Sequence, residues 1–308
     1  MRAASIDIGS NSIKLLVAER TGGGPLLEVA SEAIEARISR GIGSGAPKLS
    51  EAGMERGIAA ASSMAGKARS AGAVQVSVVA TSAVRDASNG AEFARRIQEA
   101  TGLALRILSG DEEAGLIAKG ILTDPSLDGA EFLKAFDLGG GSLECLSFHN
   151  AAVEAAVSLP LGCVRLTEMF VPDPSAPFGE RSAKDIAVRV REALRASGFP
   201  LPVPSRFSVV GTGGTLSAAR AMEAARLGTS FGATSPVITA DTLRRLLDTA
   251  GRLPLAERAA LPGLPPERAD VFPAALVTLL ALCSEGGIRA FHHSLRNLRW
   301  GVAAEILA

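Results

Sequence analysis

The sequence predicts an α/β fold made of two similar domains, and three observations lead to this prediction. Short apolar runs typical of strands alternate with amphipathic helical patterns along the 308 residues. The order strand, strand, strand, helix, strand, helix occurs twice. A turn rich in Gly and Ser, preceded by Asp, also occurs twice, at 7–12 and 137–142. We therefore expect domains at 1–125 and 126–308 that face a shared cleft, with the closing helix able to pack back on the first domain.

The first domain is predicted to contain five strands and three helices. Apolar runs and alternation indicate the strands, and Ser50 has the side chain of a helix N-cap. Turn-forming residues at 123–129 then mark a linker. The predicted strands are 5–8, 13–18, 26–37, 74–80 and 103–108, and the predicted helices are 51–69, 91–100 and 112–121.

The second domain is predicted to repeat this order and then to add helices. Ser182 and Asp185 have the spacing of a capping box at the start of a helix. The predicted strands are 132–138, 143–148, 153–159, 207–210 and 288–291. The predicted helices are 182–197, 215–226, 241–252, 266–283 and 298–307.

Composition excludes several classes of function. Lys and Arg total 32 and Asp and Glu total 32, so a broad basic surface for nucleic acid is not expected. The three cysteines are scattered, which argues against a disulfide framework or structural zinc and favours a cytoplasmic location. Asp7 interrupts the apolar core that a signal peptide needs, and no uncharged run has the length of a membrane span. We expect no membrane partner.

The two Asp-led turns have the composition of phosphate-binding loops. Glycine lacks a Cβ, so successive backbone N–H groups can turn toward one anion, and Ser and Asn add side-chain donors. The preceding acid can hold a divalent cation such as Mg²⁺ beside the phosphate oxygens. A single turn of this kind is more often an ordinary hairpin, but two matching turns favour phosphate binding. The residues are Asp7, Gly9, Ser10, Asn11 and Ser12 in the first, and Asp137, Gly139, Gly140, Gly141 and Ser142 in the second.

A third glycine-rich turn lies between a predicted strand and a predicted helix. Amides at a helix N-terminus favour an anion, although a tight junction that admits only glycine explains the same residues. Neither a Walker A pattern nor a GxGxxG helix opening is present. The turn consists of Gly211, Thr212, Gly213, Gly214 and Thr215.

Seven segments, in this order along the chain, resemble the exopolyphosphatase / guanosine pentaphosphate phosphohydrolase (Ppx/GppA) family. That family belongs to the superfamily of actin, hexokinase and the Hsp70 ATPase domain. Each segment alone has little specificity, whereas the ordered set is specific. The segments are 7–12, 80–87, 109–114, 137–144, 159–168, 211–215 and 262–270.

The resemblance implies two ribonuclease-H-like (actin-like ATPase) domains with mixed sheets and an active site in the interdomain cleft. By position, the family's catalytic base falls on Glu113. The arginine that faces the substrate phosphates falls on Arg85, close to Thr81, which is expected to bind phosphate. The acid of the second phosphate loop falls on Glu144, which is expected to orient the attacking water or to bind the metal through solvent. The positions linked with the metal fall on Asp7, Asp137 and Glu144.

These residues predict a cytoplasmic, Mg²⁺-dependent exopolyphosphatase, expected to be a homodimer. Water attacks the terminal phosphorus of inorganic polyphosphate, and Glu113 accepts the proton. The nearest alternative is removal of the 5′ γ-phosphate of guanosine pentaphosphate. A non-catalytic alarmone or nucleotide sensor and a kinase are further alternatives. The acids and Arg85 argue against the sensor, and the short linkers leave little room for a kinase's acceptor-binding insertion.

The chain departs from the family pattern at three places. Arg37-Ile38-Ser39 stands where the family commonly has Arg-Leu-Gly, and Trp300 stands where a Glu is common. Longer members carry a C-terminal HD-type domain, which is not expected here because the chain has only three histidines.

Overall fold

The computed structural model describes residues 1–39 and 47–308 of the chain. These residues form two compact units. Unit 1 comprises residues 1–128 together with 296–308, and unit 2 comprises residues 129–295. Among the helices of the described ranges, none combines the length and the apolar character needed to cross a membrane.

Unit 1 is built on a mixed five-stranded sheet of order β3-β2-β1-β4-β5. The first three strands pair antiparallel, and β4 and β5 join in parallel, as in a ribonuclease-H-like domain. The five strands are β1 (Arg2–Ile8), β2 (Ile13–Glu19), β3 (Leu27–Ile34), β4 (Gln75–Ala80) and β5 (Leu105–Ile107).

The described residues of unit 1 also form five α-helices. Ser50 caps the first helix, as predicted, by accepting a hydrogen bond from the Gly53 amide. The apolar face of that helix packs with Phe93 and Ile97 against Ile6 and Ile8 of the sheet. The helices are α1 (Glu51–Ser70), α2 (Ser82–Arg85), α3 (Gly90–Thr101), α4 (Gly110–Ile121) and, at the end of the chain, α11 (Leu298–Ile306).

Helix α11 buries Trp300, at which the sequence departs from the pattern of the family that it resembles. Trp300 is 5% exposed and packs in a cluster that includes Ala3 and Leu16. The Arg296 guanidinium lies 3.9 Å from the ring centroid of Trp300, a cation–π contact. A tryptophan therefore fills part of the apolar layer between α11 and the sheet of unit 1.

Unit 2 repeats the topology of unit 1 with one extra strand. The sheet order is β10-β11-β9-β6-β7-β8, with β6, β7 and β8 antiparallel and β9 and β11 added in parallel. The strands are β6 (Phe132–Leu138), β7 (Leu143–His149), β8 (Ala152–Leu159), β9 (Ser208–Thr212), β10 (Val237–Thr239) and β11 (Ala290–His293). This repeat confirms the predicted α/β class with two mixed sheets.

Six helices surround the sheet of unit 2. Phe136, Phe272 and Phe291 are buried in its apolar core. The helices are α5 (Cys163–Phe170), α6 (Glu180–Ala196), α7 (Gly214–Leu227), α8 (Ala240–Gly251), α9 (Leu255–Ala259) and α10 (Phe272–Gly286).

Two helix predictions in unit 2 are wrong. Helix α6 starts at Glu180 after Gly179, so Ser182 and Asp185 form no capping box; Ser182 lies instead on the buried stripe with Ile186. The predicted helix 266–283 divides into a 3₁₀ turn at Pro266–Arg268 and α10. Proline near the start of α10 is tolerated because its missing N–H would have no helical partner there. The prediction also missed α2, α5, α9 and β10.

Candidate active site

The two Asp-led turns have the same backbone hydrogen bond. The Gly9 amide donates to the Ser12 carbonyl at 3.1 Å, and the Gly139 amide donates to the Ser142 carbonyl at 3.0 Å. Each turn joins the first two strands of its unit. The repeat detected in the sequence is therefore also a repeat of backbone geometry.

In unit 2, the carbonyls of the three turn glycines receive hydrogen bonds from α5. The Gly139 carbonyl accepts from the Cys163 amide at 3.0 Å, and the Gly140 carbonyl accepts from the Val164 amide at 2.9 Å. The Gly141 carbonyl accepts from Nε of Arg165 at 3.0 Å. In a trans peptide the N–H points opposite to the C=O. The amides of residues 140, 141 and 142 are therefore directed away from α5, in the arrangement that binds anions.

In unit 1, the segment that follows β3 binds the carbonyls of the turn. The Ser10 carbonyl accepts from the Ser39 amide at 3.3 Å and from the Ser39 hydroxyl at 3.1 Å. The Asn11 carbonyl accepts from the Arg37 amide at 2.8 Å, and Arg37 has a left-handed φ of 45°. The amides of Asn11 and Ser12 thus point away from this segment. Ser39, where the family commonly has Gly, adds a side-chain hydrogen bond to the turn.

Side chains of the first turn also have partners within unit 1. Nδ2 of the Asn11 side chain donates to Oε2 of Glu35 at 2.5 Å. The Ser10 hydroxyl is 3.4 Å from the hydroxyl of Ser82, the first residue of α2, and Thr81 precedes that helix. Short α2 thus lies beside the first turn, and Arg85 is its last residue.

Arg85 forms an ion pair with Glu113. Its Nη1 lies 2.8 Å from Oε2 of Glu113 and also donates to the Leu108 carbonyl at 3.0 Å. The side chain of Glu113 is 6% exposed and that of Arg85 is 24% exposed. Arg85 therefore holds the carboxylate of Glu113, the predicted base, in place. The contact of Arg85 with substrate phosphates stays a prediction.

Glu112, the acid that precedes Glu113, caps helix α4. Ser109 and Glu112 form a capping box at the start of α4, with Oε2 of Glu112 accepting from the Ser109 amide at 2.8 Å. Oε1 of Glu112 binds Arg106 at 2.9 Å. Of these two adjacent acids, Glu112 therefore caps the helix, and Glu113 contacts Arg85.

Asp137 and Glu144 are cross-strand neighbours in the register of β6 and β7. Both are buried, and Oε1 of Glu144 accepts from the Ser158 hydroxyl at 2.8 Å. In unit 1 the same register pairs Asp7 with Lys14. Lys14 was not predicted as a site residue, although its offset of seven from Asp7 equals that of Glu144 from Asp137. Unit 1 thus has a cation where unit 2 has an acid.

The third turn ends β9 and begins α7. Gly213 is its N-cap with a φ of 100°, a conformation that favours glycine. A Cβ on Gly211 would lie 2.2 Å from Leu216, and a Cβ on Gly214 would lie 2.3 Å from the Arg268 guanidinium. Close packing is thus a sufficient reason for these glycines, and the binding of phosphate by this turn stays a prediction. Arg268 lies in the family-like segment 262–270, but the sequence pattern predicted no role for it.

The carboxylates of Asp137 and Glu144 in unit 2 fit a Mg²⁺ ion that binds together with a phosphate ligand. Among residues 1–39 and 47–308, no group of three or more His, Cys, Asp or Glu side chains could hold a metal. Mg²⁺ usually retains several waters and binds one or two carboxylates together with substrate phosphates. The neighbouring carboxylates of Asp137 and Glu144 match that requirement.

The histidines and cysteines have structural surroundings. His293 ends β11, and its Nε2 is 3.1 Å from the Ser217 hydroxyl. All three cysteines are buried and free of disulfides. Burial raises the pKa of the Cys163 thiol to about 11 and that of Cys283 to about 12.

The fold and the repeated turns define an α/β protein in which each unit has an Asp-led turn of the same backbone geometry. The model of the Ppx/GppA phosphatase family matches residues 16–308, so the chain belongs to that family. Its fold is similar to that of the Ppx-GppA enzyme of Aquifex aeolicus, with 26% identity, 99% of both chains covered and a TM-score of 0.78.

Two further solved structures share the fold. An exopolyphosphatase-like protein is 24% identical, with 99% of this chain and 98% of that chain covered and a TM-score of 0.87. An exopolyphosphatase from Cytophaga hutchinsonii is 21% identical, with 100% and 98% covered and a TM-score of 0.85.

Proposed function

We propose that this chain is an exopolyphosphatase, which removes orthophosphate from the end of inorganic polyphosphate. The observation that carries the proposal is the orientation of the two Asp-led turns. Their carbonyls are bound by residues 37–39 in unit 1 and by α5 in unit 2, so the intervening amides point the other way. Successive amides with one orientation bind anions, and polyphosphate is a chain of anions.

The reaction requires a base. The oxygen of a water forms a bond to the terminal phosphorus, and the bond from that phosphorus to the bridging oxygen breaks. The shortened polyphosphate leaves with the bridging oxygen, and a proton of the water passes to the base. In our proposal the base is Glu113, because its carboxylate is buried and bound by Arg85 at 2.8 Å.

The remaining charged residues bind the metal and phosphates in this proposal. Asp137 and Glu144 would hold Mg²⁺, and Asp7 is the acid at the matching position of unit 1. An ion held there would supply charge neutralisation for the transferring phosphoryl group. Lys14, cross-strand from Asp7, and Arg268, against Gly214, supply further positive charge near the turns.

Guanosine pentaphosphate is the second candidate substrate. Backbone amides recognise phosphate oxygens without reading the group at the other end, so the same turns suit its 5′ phosphates. The ion pair of Arg85 with the buried Glu113 favours either hydrolase over a non-catalytic sensor, because binding alone does not need a positioned base. A homodimer, a cytoplasmic location and the absence of a nucleic-acid partner stay predictions.

A phosphate-release assay tests the proposal. The purified chain is given long polyphosphate, tripolyphosphate, guanosine pentaphosphate and ATP, each with Mg²⁺ and with EDTA. We expect orthophosphate from polyphosphate with the highest kcat/KM, and only with Mg²⁺. A higher kcat/KM on guanosine pentaphosphate would replace the substrate assignment, and release from none of the four would contradict the hydrolase.

A further inference from the structure

Helix α5 uses its N-terminus to bind the carbonyl side of the glycine turn in unit 2. The amides of Cys163 and Val164, in its first turn, donate to the carbonyls of Gly139 and Gly140. First-turn amides have no partner within a helix and otherwise need a cap or water. Gly162, the N-cap, allows this approach because a Cβ there would lie 2.3 Å from the backbone of Gly140 and Gly141.

The third carbonyl of the turn is bound by a side chain. Nε of Arg165 donates to the Gly141 carbonyl at 3.0 Å, while the Arg165 amide reaches the Gly140 carbonyl at 3.2 Å. Backbone amides would hold the first two carbonyls in any sequence that forms α5. The orientation of the Gly141–Ser142 peptide, in contrast, depends on the identity of residue 165.

We propose that Arg165 is a positioning residue, which holds the Gly141–Ser142 peptide with its N–H on the anion-binding side of the turn. Glycine tolerates both signs of φ, so a peptide next to glycine can rotate at little steric cost. Rotation would direct the Gly141 carbonyl, instead of the Ser142 amide, toward the phosphate. A charged donor opposes this rotation because its hydrogen bond to the carbonyl is strong.

This inference deepens the proposed function and rests on it for the identity of the anion. The guanidinium acts through the peptide and does not itself contact the reacting phosphorus in this account. The contribution of Arg165 therefore concerns affinity for phosphate oxygens that are present before the reaction as well as during it. Loss of such an interaction raises KM and the inhibition constant of a phosphate analogue by a similar factor.

The test compares Arg165→Met and Arg165→Lys with Arg181→Met, whose arginine is 95% exposed in the same unit. We expect Arg165→Met to raise KM for tripolyphosphate and the inhibition constant of a non-hydrolysable diphosphonate about tenfold, the size of one charge-assisted hydrogen bond, with a smaller change in kcat. Arg165→Lys should recover part of this loss, and Arg181→Met should match the wild type. A KM and an inhibition constant that stay within twofold in Arg165→Met would overturn the inference.

Amide hydrogen exchange separates this inference from the proposed function. We expect the exchange rate of the Ser142 amide in Arg165→Met to differ from that of the wild type, because the peptide changes its orientation, while the thermal midpoints agree. This readout needs no substrate, so it decides on Arg165 even if the wild type hydrolyses none of the four phosphoanhydrides. Unchanged exchange at Ser142 would contradict the positioning role.

Discussion

Nη1 of Arg85 binds Oε2 of Glu113 at 2.8 Å and the Leu108 carbonyl at 3.0 Å with the same nitrogen. Arg85 thus links the end of short α2 to the start of α4. A carboxylate that is 6% exposed keeps its charge at a high desolvation cost unless a donor compensates it. The arginine expected to bind phosphates is therefore also the partner that allows Glu113 to be buried as an anion.

Removal of Arg85 should affect both stability and catalysis. We expect Arg85→Ala to lower the free energy of unfolding by about 1–3 kcal/mol, because Glu113 loses its charged partner. It should also lower kcat and raise KM. In the double variant with Glu113→Gln, the stability losses should be less than additive, as measured by urea denaturation of all four proteins. Strict additivity would show that the two side chains do not interact.

Metal dependence should follow Asp137. EDTA should abolish phosphate release, and Asp137→Asn should raise the Mg²⁺ concentration for half-maximal activity about tenfold or more, because the ion loses a charged ligand. Titration of Mg²⁺ in the release assay measures this. Asp173→Asn is the control, since the exposed carboxylate of Asp173 accepts hydrogen bonds from the amide and the hydroxyl of its neighbour Ser175. Full activity in EDTA would contradict the metal assignment.

Two N-cap glycines in unit 2 offer a matched steric test. A Cβ on Gly162 would lie 2.3 Å from the glycine turn, whereas a Cβ on Gly179 would have no neighbour within 4 Å. Both have ordinary negative φ angles, of −65° and −79°. We expect Gly162→Ala to lower kcat/KM for polyphosphate about tenfold or more, since the turn must shift by an amount that costs about 1–3 kcal/mol. Gly179→Ala should retain wild-type kinetics. Equal kinetics of the two variants would argue against a role of the glycine turn in binding polyphosphate.

The cysteines should be unreactive in the folded protein. Burial raises the pKa of Cys163 to about 11, so at pH 8 only about one thiol in a thousand is the nucleophilic thiolate. Because the pKa is raised, reactivity should increase as the pH rises toward 11. We expect no thiol to react with a disulfide reagent at pH 8 until denaturant is added, when all three should react. Rapid modification of the native chain would contradict the burial of these residues.

The sequence was sufficient for the features that are local in the chain. The Asp-led turns could be predicted because Gly9 and Ser12, or Gly139 and Ser142, close within four residues. The same holds for the Ser50 cap of α1 and for the repeated strand order. Hydrophobic periodicity and turn chemistry act over such short distances.

The side-chain partners in the site could not be predicted from the sequence pattern, because they are distant in sequence. Arg165 is 24 residues from Gly141, and Arg85 is 28 residues from Glu113. Helix α5 spans only eight residues, too short for a clear period, so its role in binding the turn was missed. The position of Lys14 follows only from the register of β1 and β2, which pairs Lys14 with Asp7 as β6 and β7 pair Glu144 with Asp137.

The central claim is that Glu113 is the base of a phosphoanhydride hydrolase, and its neighbour provides the control. Glu113→Gln and Glu112→Gln make the same chemical change at adjacent positions of α4, and Gln at 112 can still serve the capping box. The measurement is kcat and KM for Mg²⁺-dependent phosphate release from polyphosphate. We predict that Glu113→Gln lowers kcat by about 10²–10⁴ with little change in KM, while Glu112→Gln stays near the wild type. Near-normal turnover by Glu113→Gln on every phosphoanhydride that the wild type hydrolyses would contradict the account and make Glu144 the leading candidate.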